Sequence, residues 1–176
     1  MRARVDRERL LAFLDALGQA SGAGTHAYLV GGATAVLIGW RTSTVDIDLR
    51  LEPDSDSALR AIPALKEALG VNVELASPAD FLPELPGWRD RSRFVGQHRN
   101  LAVFHYDFYS QALAKLERGH EIDRQDVAAM LGAGLIERRR LREMYALIEP
   151  QLYRFPAIDP GAFRSRVDAV CAEETR

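Results

Sequence analysis

The stretch that most constrains this chain is Gly31 to Leu49, GGATAVLIGWRTSTVDIDL: a glycine pair that ends one apolar run, then two acids alternating with apolar residues in the next. A β-strand over Val45 to Leu49 turns successive side chains to opposite faces, so Asp46 and Asp48 project together while Ile47 and Leu49 enter a core. Two carboxylates one strand repeat apart repel unless something positive sits between them. A hard divalent cation with oxygen ligands, Mg²⁺ or Mn²⁺, answers that need, and its other positions go to water and phosphate oxygens. Gly31 and Gly32 let the backbone approach a phosphate closely and present N–H groups at a helix start. The stretch reads as a site for a metal-bound nucleoside triphosphate.

The elements around it follow from periodicity. Asp6 caps a helix running to about Leu17, with Leu10, Leu14 and Leu17 on one face. A strand over His26 to Val30 leads into the glycine pair and a short helix, Ala33 to Ile38. After the Asp-Ile-Asp strand, Ala58 to Leu69 is helical, with a kink or restart expected at Pro63. Val71 to Leu75 alternates as a strand, Val73 and Leu75 inward, Asn72 and Glu74 on the other face. Pro83 to Arg93 reads as loop. Phe94 to His98 and Leu101 to Tyr106 form a hairpin about Arg99-Asn100. Helices are then expected over Tyr109 to Arg118, Asp123 to Leu131, Leu135 to about Tyr153, and from an Asp159 cap to about Ala172. Strands and helices first and helices alone later predict an α/β (α+β) fold, a small mixed sheet with a C-terminal helical extension.

Composition narrows the function. A formal net charge of −2 argues against bulk electrostatic binding of nucleic acid. The single cysteine, Cys171, excludes an internal disulfide and a cysteine metal site. No apolar stretch is long enough to span a membrane, and MRARVDRERLLAF has no signal-peptide core, so a cytoplasmic protein without membrane attachment is expected. Arg138, Arg139, Arg140 and Arg142 make a basic run, but Glu137, Glu143 and Glu149 flank it, and an ion-paired solvated face is expected there.

Gly-Gly, a spacer from Ala33 to Val45 and Asp-Ile-Asp together resemble the signature of the polymerase-β-like nucleotidyltransferase superfamily. The local string G-G-A-x-A-x(3)-G-x-R-x-S/T-x(2)-D-I-D-L, carried by Gly31, Gly32, Ala33, Ala35, Gly39, Arg41, Ser43, Asp46, Ile47, Asp48 and Leu49, is similar to a bacterial branch. That branch includes abortive-infection and toxin-antitoxin nucleotidyltransferases. A second segment, Lys115 to Val127, resembles the K-L-x-R/A-x(3)-K/R-D-x-x-D-V/L stretch of the same branch, with Ile122 where a basic residue is usual.

The resemblance implies Mg²⁺-dependent (or Mn²⁺-dependent) transfer of a nucleoside monophosphate to an acceptor hydroxyl. Gly31, Gly32, Arg41 and Ser43 would line the nucleotide, and Asp46 and Asp48 would hold the metals. A third carboxylate on the next strand is implied as base or second metal ligand; Glu74 is the candidate, with Asp80 and Asp107 in reserve, Asp107 rather a helix cap. Lys115 would face the phosphates, and Asp123 would belong to the rim or cap a helix. Arg41 would bind phosphate or hold an aspartate. The acceptor would be an RNA such as tRNA, a protein or a small molecule, and an antitoxin is an implied partner. The nucleotidyltransferase-like domain is expected over residues 1–131 and the helical extension over 132–176. The rival reading is a catalytically silent nucleotide-binding or protein-interaction module on the same fold.

Overall fold

A computed structural model describes residues 3–172. The chain divides into two compact units, one running to Ser77 and resuming over Ser92–Tyr106, the other made of Pro78–Arg91 and the chain from Asp107 onward.

The first unit is built on a five-stranded mixed sheet. Its strands are β2 (Thr25–Val30), β4 (Asp46–Glu52), β5 (Asn72–Leu75), β6 (Arg93–His98) and β7 (Leu101–His105), in the order β5-β4-β2-β7-β6. β2 runs antiparallel to β4 and parallel to β7, β4 runs parallel to β5, and β6 and β7 form the antiparallel hairpin. A two-residue strand β1 (Val5–Asp6) pairs with β3 (Ser43–Thr44), a contact that sequence patterning does not reveal because two residues carry no period. Asp6 also caps α1 (Arg7–Ala20), its carboxylate accepting from the Arg9 amide.

Alternation decides the two faces of the sheet. Ala27 and Leu29 of β2, Ile47, Leu49 and Leu51 of β4, Val73 of β5, and Leu101 and Val103 of β7 are buried on one face. Leu10, Phe13, Leu14 and Leu17 of α1, with Ala58 and Ile62 of α3 (Asp56–Leu69), join them in one core. Each large aliphatic side chain buried there contributes about 1.5–3 kcal/mol. Gly18 is part of that packing, since a Cβ on it would stand 1.8 Å from the His98 carbonyl oxygen.

Three local expectations are corrected in this unit. α3 does not restart at Pro63 but continues through it as one helix. Ser55 caps it by accepting from Ala58 N, and Gly70 closes it in the left-handed region. Leu75 is 54% exposed rather than inward, because it is the last residue of an edge strand. Val45 lies outside β4 and is likewise exposed.

The second unit is helical. α4 (Trp88–Arg91) falls within the expected loop, and α5 (Phe108–Arg118), α6 (Glu121–Gly132), α7 (Arg138–Ile148) and α8 (Pro160–Ala172) follow. α7 is shorter than expected: Gly134, at φ +67°, makes a turn before it, and Glu149–Arg154 tightens into a 3₁₀ helix around Pro150. The arginine run on α7 is ion-paired, Arg139 and Arg140 with Glu143 and Arg142 with Asp168. Among the described residues no helix is long and apolar enough to cross a membrane.

Candidate active site

β4 brings the two acids together. Asp46, Asp48, Arg50 and Glu52 alternate with the buried Ile47, Leu49 and Leu51, so the four charged residues share the second face of the sheet. The parallel register sets Asn72 beside Asp46 and Glu74 beside Asp48. Paired residues of neighbouring strands lie on the same face, so Glu74 joins the aspartates there as an exposed side chain. Asn72 Nδ2 donates to Asp46 Oδ1 at 2.7 Å, which fixes that carboxylate.

β2 supplies the glycine pair. Its antiparallel register ends with Val30 opposite Asp48, and Gly31 follows at φ +61° and ψ −125°, a backbone state that a Cβ disfavours. A Cβ at Gly31 would come 3.3 Å from Asp48 Oδ2, so the turn passes directly against that carboxylate. Gly32 opens α2 (Gly32–Ile38), where a Cβ would lie 2.0 Å from Thr44 Oγ1 and 2.6 Å from Thr44 Cβ. The Thr44 hydroxyl donates to the Asp46 carbonyl at 3.0 Å. One residue therefore seats both the glycine turn and the start of β4.

Gly32→Ala is expected to push Thr44 aside and cost about 1–3 kcal/mol, the usual range for overpacking. Thermal denaturation measures it. An alanine tolerated without loss would mean that Thr44 does not seat the turn.

Ser43 accepts from Arg4 Nε at 2.8 Å, and the Arg41 amide donates to the Ala35 carbonyl at 3.3 Å as the chain leaves α2. Both residues are half-buried and lie in the first unit with the acids.

Among the described residues no group of three or more His, Cys, Asp or Glu side chains is gathered tightly enough to hold a metal ion. Two carboxylates on one strand face still suit a particular cation. Mg²⁺ is usually held by one or two carboxylates, with phosphate oxygens and water completing its octahedron, rather than by an all-protein cage. Asp46 and Asp48, hard oxygen donors beside a glycine turn, fit a Mg²⁺ that arrives with phosphate.

The remaining sequence candidates belong to the second unit. Lys115 of α5 is 4% exposed, its Nζ 2.6 Å from Asp126 Oδ2 and 3.6 Å from Asp123 Oδ1. Asp123 also accepts from Arg118 Nη2 at 2.6 Å, while its Oδ2 is buried with no hydrogen-bond partner. Asp123 is not the cap of α6, which begins at Glu121 after His120; it lies inside the first turn, turned toward the cations of α5. Asp107 is the cap of α5, accepting from the Tyr109 and Ser110 amides and from both Nε and Nη2 of Arg91. Asp80 is an exposed residue of a 3₁₀ turn.

Four first-unit residues escape sequence reasoning as site residues: Asn72, Thr44, Thr34 and His105. Asn72 carries a signal, the period-two spacing that puts it on the same face as Glu74. The others are set by pairing across the chain, which no local pattern displays. His105 Nδ1 lies 3.1 Å from Thr34 Oγ1, and the Thr34 hydroxyl donates to the Leu29 carbonyl at 3.1 Å. Burial, and secondarily the neighbouring Arg93, push the His105 pKa down to about 4, so the ring is neutral at physiological pH.

Comparison with known proteins adds one finding. A family model described as a nucleotidyltransferase of unknown function (DUF6036) matches residues 9–155, which takes in Gly31, Gly32, Thr44, Asp46, Asp48, Asn72 and Glu74. No match was found among curated proteins or among solved structures.

Proposed function

The chain belongs to this family of nucleotidyltransferases of unknown function, and on that premise we propose that it binds a Mg²⁺-bound nucleoside triphosphate and transfers the nucleoside monophosphate to an acceptor hydroxyl. One observation carries the reading: Asp46 and Asp48 share a strand face, Glu74 stands in register with Asp48, and the Gly31 backbone runs against the Asp48 carboxylate.

In this reading Asp46 and Asp48 hold Mg²⁺, which when bound supplies charge neutralisation for the phosphoryl oxygens and the departing pyrophosphate. The backbone of Gly31 and Gly32 receives phosphate oxygens at a distance only glycine permits. The acceptor hydroxyl forms a bond to the α-phosphorus, the bond from that phosphorus to the bridging oxygen breaks, and pyrophosphate leaves. Glu74 takes the hydroxyl proton. Arg41 and Ser43 border the nucleotide. The resemblance sets Lys115 toward the phosphates and Asp123 at the rim. Burial between Asp126 and Asp123 instead gives Lys115 the task of joining α5 to α6.

The test is binding linkage. A ligand that binds only the folded state at a hundred times its Kd stabilises by about 2.7 kcal/mol. A nucleoside triphosphate should therefore raise Tm in the presence of Mg²⁺ and not in EDTA. Asp46→Asn with Asp48→Asn should remove that rise without unfolding the apo protein. A double variant that keeps the full Mg²⁺-dependent rise would take both residues out of the site.

Among the described residues no three acids gather closely enough to hold a metal, which favours a second reading, a nucleotide-binding or protein-interaction module without turnover. Tight nucleotide binding with no transfer to RNA, protein or small-molecule acceptors, in Mg²⁺ or Mn²⁺, would support it. A toxin role is a finer proposal, supported by growth arrest on expression that the product of an adjacent gene relieves.

A further inference from the structure

We propose that His105 is a positioning residue for the triphosphate site, holding the Gly31–Gly32 turn against Asp48 through the Thr34 hydroxyl. The proposal rests on the reading above, in which that turn receives phosphate.

The hydrogen-bond directions follow from counting protons. A threonine hydroxyl has one proton, and here it goes to the Leu29 carbonyl at 3.1 Å. His105 Nδ1, 3.1 Å from the same oxygen, must then be the donor, which fixes the neutral ring as its Nδ1–H tautomer. The Tyr106 amide donates to that same Leu29 carbonyl at 2.9 Å. The end of β2, the first turn of α2 and the end of β7 are thus tied at one oxygen. Val30, Gly31, Gly32 and Ala33 span the interval between the tie points at Leu29 and Thr34. Gly31, at φ +61°, has little intrinsic preference for that state and needs an outside brace to stay in it.

Burial suits His105 to the task. Thr34 is fully buried, and the depressed pKa of the ring keeps it neutral, a fixed donor across the working pH range. A ring that changed charge there would bring a positive group and a new hydration demand to the back of the turn. His105 acts through the Thr34 hydroxyl, so its effect on phosphate is indirect.

The probe is inorganic triphosphate with Mg²⁺, which removes base preference from the measurement. His105→Leu, apolar and without a donor, should weaken its binding about five- to tenfold, the scale of one buried hydrogen bond. His105→Asn, whose amide N–H sits where Nδ1–H did, should stay within about twofold of wild type. Equal affinity in both variants, with only Tm lowered, would make His105 a core residue and overturn the proposal.

Imidazole nitrogen resonances of the unmodified protein give a check that needs no variant. The Nδ1–H tautomer is expected, and an Nε2–H ring would overturn the brace. If wild type binds no Mg²⁺-triphosphate, the reading of the site fails on its own. Amide exchange at Gly32 and Ala33 then tests the brace separately: His105→Leu must speed it and His105→Asn must not, and unchanged exchange in both would refute it.

Discussion

Lys115→Met is expected to cost about 3–5 kcal/mol of stability, the range for breaking a buried ion pair from one side. The Lys115 ammonium is 5% exposed at the side chain and touches Asp126 at 2.6 Å, with Asp123 next to it. Methionine fills the same volume, so packing is nearly kept while two buried acids lose their cation. Arg118 still reaches Asp123, but Asp126, 1% exposed, loses the ammonium that stands 2.6 Å from it. For a chain of this size the melting temperature should fall by roughly 10 °C. Adding Asp126→Asn should restore part of the loss, because a neutral amide is cheaper to bury than a carboxylate that has lost its ammonium. A loss below about 1 kcal/mol would mean that the pair is hydrated and weak. A folded variant with much weaker triphosphate binding would return Lys115 to the phosphate role that the resemblance gives it.

The second large effect belongs to Asp48. It sits where the glycine turn, the strand partner Glu74 and its own neighbour Asp46 converge. Asp48→Asn keeps the shape and removes the charge that a phosphate-bound Mg²⁺ would use. If that ligand supplies about 3–4 kcal/mol of transition-state stabilisation, transfer should fall roughly 10²- to 10³-fold. The isosteric amide keeps the side chain's shape, so the variant should remain folded, as a thermal melt would show. Glu74→Gln should lower kcat by about a hundredfold with little change in nucleotide Kd, because a base is needed mainly in the transition state. Normal turnover by Glu74→Gln would move the base elsewhere or leave the two aspartates sufficient.

What the sequence disclosed and what it hid divide along physical lines. The Asp46–Asp48 face, the inward Ile47 and Leu49, the glycine turn, the hairpin and the caps Asp6, Asp107 and Asp159 are local, and period or cap chemistry displays them. The α+β class with a mixed sheet follows from element order. Three errors have specific causes. Pro63 predicts a kink or a restart, but α3 continues past it as one helix, although the Leu59 carbonyl has no amide donor four residues on. Leu75 alternates correctly yet lies at a strand end on an edge, where no neighbour covers it. Gly134 and Pro150 bound α7 more narrowly than charge and apolar period suggest. The contacts that seat the site are long-range: Asn72 on Asp46, Thr44 under Gly32, and His105 on Thr34 are separated in the chain and become neighbours only through sheet register.

The most direct test of the central claim is transfer of label from an α-labelled nucleoside triphosphate in Mg²⁺ to RNA, protein and small-molecule acceptors. Wild type should move the label onto an acceptor and release unlabelled pyrophosphate, while Asp48→Asn, folded and equally abundant, should move almost none. Label transfer at the wild-type rate by Asp48→Asn, or none by wild type despite Mg²⁺-dependent nucleotide binding, would contradict the account.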